Sequence, residues 1–492
     1  MKKALYIILI ALFCASCSDF LNIRPEGTTT AASLDHSKAE NIFKPVSAAY
    51  AEIRSYGSHS FPYIGCLEIT SDNADKGSTP EDGASTKQMD EFKYDAANEL
   101  ITAQWEAWYN IVSAANNAIS QMDMFKNELK KDVDKETADQ GIGDGKFIRA
   151  YAYFRLVTMF GNVPIITDIM SSDELAAQKP ATPAQVWATV ESDLTDAIAR
   201  LPESWPKTYL GRATKYSAMA LKAKAHLYQG EWDDVAKLCD EIIASKRFHL
   251  LPDFRSVFSV EQENSAESLF EIQSSDLDKA SGDAAYNTYA YVQGPRGNTP
   301  SNMQGWGFCV PSESLVKFFN DRGETVRAAT TFLYRGSTTP EGDYISEACV
   351  NPIYNGKVYT PSSYNNWSNN GYGYDHNIRI IRYSDVLLMY AEALARGASS
   401  AGLKSGYTAQ SALDEVRARV GLAPVEPTID NILDERRAEL ALEEDRFLDL
   451  VRTGKAAEVL GPLGYKEGKH NLFPIPSTQL QLNTNLIQNP NY

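Results

Sequence analysis

The 492-residue sequence has a shortage of positive charge, few cysteines and histidines, and no long apolar run beyond its first residues. Its 47 lysines and arginines face 64 acidic residues, and the net charge of −17 argues against nucleic acid as a partner. No later stretch provides the roughly 20 apolar residues that a membrane-spanning helix needs. The six histidines form no HExxH motif, and there is no GxSxG motif, so no metal site, cofactor or catalytic residue is predicted. A hydrophobic content of 43% indicates a folded globular protein.

The four cysteines after residue 17 are far apart and contain no CxxC pair, which argues against zinc-ribbon and thioredoxin-like sites. One or two disulfides are compatible with an exported chain. Buried free thiols are equally compatible, because a chain of this size can bury enough apolar surface without covalent links. Both alternatives stay open for these residues: Cys66, Cys239, Cys309 and Cys349.

The N-terminus has the composition of a secretory signal peptide. Lys2 and Lys3 precede ten uniformly apolar residues at 4–13, ALYIILIALF. Ten residues are too few to cross a bilayer as a helix, and small residues follow them. We therefore predict a cleaved signal peptide over residues 1–16.

Cys17 is the predicted first residue of the mature protein, because the small residues Ala15 and Ser16 precede it. It resembles the lipobox cysteine of bacterial lipoproteins, which is acylated. We therefore predict a lipid anchor at Cys17 and a polar tether over residues 17–34. One position departs from the lipobox pattern, since Cys14 stands where leucine is usual. An ordinary secretory signal with a nearby disulfide cysteine is the alternative.

Helical periodicity dominates residues 35–261. The segment 146–164 is apolar around most of its circumference, which predicts a buried helix that stops at Gly161. The segment 182–202 begins with a capping threonine and a proline, and repeats apolar residues every four positions. The segment 213–245 predicts two helices around a turn, an elbow similar to that of a tetratricopeptide repeat.

The composition changes over residues 262–377, where glycine, proline, asparagine, serine and tyrosine dominate. Helical periodicity mostly vanishes there, apart from one predicted helix at 310–323. Residues 378–492 complete the helical scaffold. Helices are predicted in that last region at 382–397, 411–424 and 431–456. The sequence thus predicts a mainly α-helical scaffold of tetratricopeptide-like helix pairs, interrupted by a long irregular region.

The charges within 431–456 could be taken for an acid/base site, but helical spacing gives a structural interpretation. Residues three apart on a helix are neighbours, so the spacing predicts the ion pairs Arg436–Glu439 and Glu443–Arg446. Two more charged residues interrupt the apolar stripe and are predicted to form a buried pair: Arg437 and Glu444.

Two short motifs resemble ligand-binding loops but lack the required spacing. In GIGDGK, residues 141–146, the glycine-to-lysine spacing is wrong for a phosphate loop, and Phe147 stands where serine or threonine should follow. A flexible lead into a helix is predicted instead. In SDNADKG, residues 71–77, the alternation of an EF-hand is absent, and a polar turn is the simpler interpretation.

Aromatic residues set among glycine, asparagine and serine are the strongest functional signal of the irregular region. Trp306 lies between two glycines in GWGF, which leaves room for its ring to protrude. Sugars present apolar C–H faces edged by hydroxyl groups, so flat rings beside polar side chains suit a glycan. Pinning of long loops to the scaffold is the alternative role. The candidate ligand-binding residues in these loops are Trp306, Tyr286, Tyr289, Tyr291, Tyr364, Trp367 and Tyr372.

Seven stretches in order along the chain resemble the SusD/RagB family of outer-membrane nutrient-binding lipoproteins, over essentially the whole mature chain. They are CSDFLNIRPEG, KFIRAYAYFRLVTMFGNVP, RATKYSAMALKAKAHLYQGEW, RYSDVLLMYAEALAR, LDEVRARVGL, ILDERRAELALEEDRFLDLVRTG and the terminal LFPIP…NLIQNPNY.

The resemblance implies four tetratricopeptide-like helix pairs packed against a more irregular part. It implies a cell-surface lipoprotein that binds glycans, oligosaccharides or peptides without chemistry, and that caps a SusC-like TonB-dependent transporter. The family carries a polar turn near its ligand face, which makes Asp72 and Asn73 further candidates for contact with sugar hydroxyls. Two other functions stay open: a peptide- or protein-binding tetratricopeptide-type module, and a surface glycoside hydrolase.

Overall fold

The computed structural model describes residues 34–274, 288–298, 304–364 and 376–492. Within these residues the protein is mainly α-helical, as the sequence predicts. The N-terminal helices are α1 Phe43–Ile53, α2 Tyr56–His59, α3 Phe61–Leu67, α4 Ala84–Asp90, α5 Glu99–Glu128, α6 Asp132–Phe160, α7 Ser172–Ala176, α8 Pro183–Arg200, α9 Lys215–Gln229 and α10 Trp232–Ala244. The later helices are α11 Tyr289–Gln293, α12 Glu313–Arg322, α13 Thr325–Thr331, α14 Tyr383–Ala395, α15 Ala409–Arg419, α16 Ile429–Glu439, α17 Arg446–Arg452, α18 Ala456–Leu460 and α19 Ser477–Leu482.

Short strands pair residues that are mostly far apart in the sequence. They are β1 Ala74–Gly77, β2 Val163–Pro164, β3 Pro180–Ala181, β4 Ser268–Ile272, β5 Phe308–Pro311, β6 Phe332–Tyr334, β7 Ile353–Asn355 and β8 Ile378–Arg382. All pairings are antiparallel: β1 with β5, β2 with β3, β4 with β8 and β6 with β7. Sequence reasoning missed these strands, because two to five residues are too few to show a period-two pattern.

The helices stack in chain order to form the scaffold. Helix α5 packs on α6, α6 on α8, α8 on α9, and α9 on α10; the stack continues from α10 to α14 and from α14 to α15. A large cluster of buried side chains runs through this stack, and it extends from residue 49 to residue 475. Among the described residues, no helix combines the length and the apolar content that crossing a membrane requires.

Local end signals place several helices where the sequence predicts them. Thr182 caps α8 by accepting a hydrogen bond from the Gln185 backbone N–H, and Gln185 reciprocates in a capping box. Gly161 and Gly230 follow the ends of α6 and α9 with φ of 72° and 74°, a left-handed region that glycine enters at little cost. The stop at residue 161 and the elbow at residue 230 are therefore confirmed.

The four described cysteines are buried and free. Cys66, Cys239 and Cys309 are fully enclosed, and burial raises the pKa of each thiol. The sequence leaves both disulfides and buried free thiols open for these four cysteines, and the structure shows buried free thiols.

The prediction of a flexible lead at 141–146 is wrong, because this segment lies inside α6. A Cβ atom added at Gly141 would lie 2.5 Å from Met122 Sδ, and one at Gly145 would lie 2.6 Å from Ile119 Cγ1. The glycines therefore allow α6 to approach α5 closely. Their lack of a side chain, and not backbone freedom, explains the motif.

The single helix predicted over 431–456 is also wrong. Helix α16 ends at Glu439, and α17 begins at Arg446. Between them, Leu442 and Glu444 have φ of 64° and 62°, a left-handed conformation that a right-handed helix cannot contain. The break turns the charged side chains in different directions.

The predicted pairings of these charges are also wrong, because each charge has a partner outside the segment. Arg436 donates to Asp385 and Asp449 at 2.6 and 3.0 Å. Arg437 and Arg446 both reach Asp72, at 2.8 and 2.7 Å. The charged residues of this segment form structural contacts, as the sequence predicts, but their partners lie in other parts of the chain.

Glu439 is the centre of a buried ion-pair network that joins the loop-rich region to the C-terminal helices. Its carboxylate accepts from Arg327 Nε at 3.0 Å, from Arg382 Nη1 at 2.9 Å, and from Arg419. These arginines belong to α13, to β8 and to α15. The three positive charges hold the pKa of Glu439 well below its usual range, although burial alone would raise it.

Replacement of Glu439 by glutamine should destabilise the fold strongly. The variant Glu439→Gln keeps the shape but removes the counter-charge that three buried arginines share. Because each arginine keeps another carboxylate partner, we expect a loss of about 2–3 kcal/mol. Urea unfolding followed by circular dichroism measures the change. The control is Asp434→Asn on the exposed face of the same helix, expected within about 0.5 kcal/mol of the wild type. A loss below about 1 kcal/mol for Glu439→Gln would contradict the central role of this carboxylate.

Candidate functional site

An aromatic cleft of about 660 Å³ lies where Trp306 meets the N-terminal helices α2 and α3. We call it the Trp306 cleft. Its walls come from four segments that are distant in sequence: the α2–α3 region, the loop between β1 and α4, the chain around Trp306, and Val350 before β7. The lining residues are Tyr56, Phe61, Asp82, Gly83, Arg296, Gly297, Gln304, Gly305, Trp306, Phe308 and Val350.

The backbone around Trp306 is fixed by hydrogen bonds and by glycine at both sides. The Trp306 N–H donates to the Tyr291 carbonyl at 3.0 Å, and the Trp306 carbonyl accepts from Ser78 Oγ at 2.8 Å. A Cβ at Gly305 would lie 2.4 Å from the Gly294 carbonyl oxygen, and Gly307 has φ of 73°. Only glycine fits at residue 305, so the GWGF motif presents its ring from a defined backbone.

The indole ring is half-buried and packs edge-on against two other rings. Its centroid lies 6.0 Å from that of Phe61 and 5.9 Å from that of Tyr291, with interplanar angles of 87° and 81°. Such edge-to-face contacts fix the orientation of the indole. Tyr56 in the same cleft is 49% exposed. The cleft thus combines a fixed ring with an accessible one.

The polar rim of the cleft is an internally neutralised pair. Arg296 forms an ion pair with Asp82 and donates to Ser78 Oγ at 2.7 Å. The Asp82 carboxylate also accepts from Thr79 Oγ1 at 2.8 Å and from Ser78 Oγ at 3.1 Å. The Thr79 hydrogen bond, followed by the Ser78 bond and the charge of Arg296, holds the pKa of Asp82 below its usual value. The rim therefore offers hydrogen-bonding groups without a net charge.

This geometry suits binding better than catalysis. Acid/base cleavage of a glycosidic bond uses two carboxyl groups on opposite sides of the bond. Among the described residues that line the cleft, Asp82 is the one carboxylate, and three neighbouring side chains occupy it. A planar ligand with an apolar face and hydroxyl edges would meet the rings with its face and the rim with its edges.

Two of the predicted aromatic residues lie beneath the cleft. Tyr289 and Tyr291 are buried in α11, at 4% and 6% exposure. The Tyr289 hydroxyl donates to Glu444 at 2.6 Å, and the Tyr291 ring supports Trp306 from below. Their positions favour the pinning role over direct contact with a ligand.

Asp72 and Asn73 are also buried, in a polar turn that leads into β1. Burial raises the pKa of Asp72, but the hydrogen bond and charge of Arg446 and the charge of Arg437 outweigh it and keep the carboxyl ionised. Asn73 Oδ1 accepts from Arg437 Nε at 3.0 Å. These contacts favour a role in joining the turn to the C-terminal helices.

The remaining predicted residues lie outside the cleft or outside the described part of the chain. Tyr364 ends a short 3₁₀ turn, and its hydroxyl donates to Glu261. It is not among the described residues that line the cleft. Four predicted residues lie outside the described ranges: Cys17, Tyr286, Trp367 and Tyr372.

Sequence reasoning missed Tyr56, Phe61 and the Asp82–Arg296 pair. A signal for the two rings exists, because SYGSHSFPY sets them among glycine and serine as in the loops that were selected. The sequence does not mark Tyr56 and Phe61 as ligand-binding residues, because their segment lies in a region of helical character. No local signal could have found the ion pair, since 214 positions separate its members.

Two family models match the chain. One, described as "SusD family", matches residues 266–492. The other, described as "Starch-binding associating with outer membrane", matches residues 47–227. The chain is also similar over its whole length to SusD-like protein P2 of Formosa agariphila, with 28% identity over 522 residues and all of both chains covered.

Solved structures agree with these matches. A "Laminarin binding SusD-like protein" superposes with a TM-score of 0.79 and 28% identity, and the match covers 93% of this chain and 100% of that one. "Surface glycan-binding protein A from Bacteroides thetaiotaomicron" superposes with a TM-score of 0.77 and 25% identity, with the same coverage.

A buried carboxyl pair lies below the cleft, next to Tyr289. Glu68 Oε2 accepts from the Glu444 backbone N–H at 2.7 Å, and Glu444 Oε1 accepts from the Tyr289 hydroxyl. Burial raises the pKa of Glu68 to about 8, and burial together with the charge of Glu68 raises that of Glu444 well above its usual range. Burial therefore favours the protonated form of both carboxyl groups.

This pair predicts a loss of stability as the pH rises. Because the folded-state pKa of Glu68 exceeds its usual value of 4.5, its contribution is fully present below pH 4.5 and is lost as the pH rises through about 8. The slope reaches up to about 1.4 kcal/mol per pH unit for one proton. Glu68→Gln mimics the protonated acid and should flatten this loss in urea unfolding at pH 5, 6, 7 and 8.

The control is Glu128→Gln at the exposed end of α5, which should keep the wild-type slope. An unchanged slope in Glu68→Gln would show that Glu68 is not protonated in the folded protein.

Proposed function

The chain belongs to the SusD family, and from this premise we propose that it is a surface lipoprotein that captures a glycan and delivers it to a SusC-like TonB-dependent transporter. The observation that carries the proposal is the Trp306 cleft. There the rings of Trp306 and Tyr56 stand beside a polar rim that has no net charge. Stacking on such rings with hydrogen bonds at the edge gives modest affinity, which suits capture and release.

A neutral glycan fits this cleft better than an acidic one. Arg296 and Asp82 neutralise each other. The described lining residues therefore include no unpaired cation that could bind a sulfate or carboxylate group of an acidic glycan. The net charge of −17 also repels anionic polysaccharides. The similar structure that is described as laminarin-binding makes laminarin the first ligand to test.

Capture without cleavage is the mechanism we propose. The described lining supplies one carboxylate where a glycosidase uses two, and that carboxylate is already paired. The transporter then takes the concentrated ligand. The family resemblance supports this partnership, and the matched family description that mentions the outer membrane supports the location. On the same grounds we propose that the protein faces the cell exterior.

The proposed ligand site predicts a loss of affinity on removal of the indole. In titration calorimetry with laminarin oligosaccharides, Trp306→Ala should weaken binding at least about tenfold, or ~1.4 kcal/mol. Tyr56→Ala should weaken it less, since a phenol ring offers a smaller face for stacking than an indole. The control is Tyr344→Ala, an equally exposed tyrosine outside the cleft lining, which should bind as the wild type does.

Three other outcomes would redirect the proposal. Cleavage products in the titrated mixture would indicate a glycoside hydrolase. Competition by peptides and not by glycans would indicate a protein-binding module. Unchanged affinity in Trp306→Ala would place the ligand elsewhere.

The proposed anchor predicts a change of location on replacement of one cysteine. Cys17→Ala removes the thiol that carries the first acyl chain, so the protein should leave the membrane fraction and lose incorporation of labelled fatty acid. Cys14→Ala changes a residue of the signal peptide and should stay anchored and labelled. A labelled, membrane-bound Cys17→Ala protein would contradict lipidation at this position.

A further inference from the structure

A histidine and two carboxylates converge at the elbow between helices α8, α9 and α10, and share no residue with the Trp306 cleft. We propose that Glu191, His226 and Glu231 form a binding site for a borderline divalent cation, Zn²⁺ in the first place. One ligand atom from each residue lies within 4.8 Å of the other two. These are nitrogen and oxygen donors of the kind that zinc takes in proteins.

Three separate elements supply the ligands. Glu191 lies in α8, and His226 lies in the last turn of α9. Gly230 then takes a left-handed conformation, and the Glu231 N–H donates back to the His226 carbonyl at 3.0 Å. This turn returns the Glu231 side chain to the histidine, where its carboxylate accepts from Nδ1.

The electrostatics of the cluster favour a cation. Among the described residues, no lysine or arginine lies within 4.0 Å of the Glu191 or Glu231 carboxylate. The partner of Glu191 is neutral, because Gln229 Nε2 donates to its Oε1 at 2.8 Å. Two carboxylates and an imidazole thus face one another, and among the described residues no lysine or arginine pairs with either carboxylate. A bound dication would supply the missing positive charge.

His226 provides the rigid member of the site. It is 6% exposed, and in the described part of the chain its Nδ1 bonds Glu231 while Nε2 has no hydrogen-bond partner. A Zn²⁺ ion would take the place of the proton between Nδ1 and Glu231, and that proton would pass to solvent. The Glu231 side chain is 44% exposed, so it has room to adjust and leaves a side of the site open to water.

The required movement is small. Two donor atoms on one tetrahedral zinc lie roughly 3.4 Å apart, given metal–ligand distances of about 2.1 Å. The widest present separation is at most 4.8 Å, which rotation of the two glutamate side chains can close. Three protein ligands and one water complete the coordination. Calcium fits less well, since it takes six to eight oxygen ligands.

The experiment uses the chain without residues 1–17 and without an affinity tag; this removes none of the contacts described above. Zinc chloride is titrated by calorimetry, and thermal unfolding is recorded with and without it. We expect saturable binding of one ion. At a free zinc concentration of 100 times the Kd, the unfolding equilibrium should shift about 100-fold, which corresponds to a rise in Tm of ~3 °C.

Matched variants separate the site from surface binding. Glu191→Gln and Glu231→Gln each keep shape but remove one anionic ligand, so the zinc-induced rise in Tm should vanish while the zinc-free Tm stays close to the wild type. Glu241→Gln, on the exposed face of α10, should keep the full rise. Absence of saturable binding, or an equal rise in the Glu191 and Glu231 variants, would overturn the proposal.

Discussion

The fold depends on the sharing of one buried carboxylate, that of Glu439, by three arginines. Arg327, Arg382 and Arg419 come from α13, β8 and α15, which are separate in the sequence. Each of these side chains is at most 2% exposed, so an arrangement that leaves one unpaired carries a penalty of several kcal/mol. This penalty selects one docking of the loop-rich region on the C-terminal helices. The Trp306 cleft rests on that docking, because Arg437 and Glu444 in the adjoining segment support β1 and α11.

Much of the helical scaffold could be predicted from the sequence, because helix ends carry local chemistry. Thr182, Gly161 and Gly230 each act within a few residues, and the structure has them where the sequence places them. The errors arise where a residue serves a distant partner. The composition of 141–146 predicts flexibility, whereas in the structure Gly141 and Gly145 make room for α5. The interrupted apolar stripe predicts that Arg437 pairs with Glu444, whereas its guanidinium binds Asp72.

The candidate site shows the same difference between features with a local sequence signal and features that depend on distant partners. Trp306 could be selected from the sequence because its flanking glycines indicate a presented ring. The rim could not, since Asp82 and Arg296 are brought together only by the fold. Tyr289 and Tyr291 met the same compositional criterion as Trp306 but lie beneath it. Composition can therefore locate an aromatic region, while burial decides which rings face a ligand and which ones hold those rings in place.

The contact between Asp72 and Arg446 spans 374 positions of the chain, and this has a consequence for the order of folding. The N-terminal helix stack uses mostly neighbouring segments, so it can form early during synthesis. The turn before β1 cannot bind the guanidinium groups of Arg437 and Arg446 until nearly the whole polypeptide has been synthesised. Closing so long a loop is slow. The Trp306 cleft is therefore expected to be among the last features to mature.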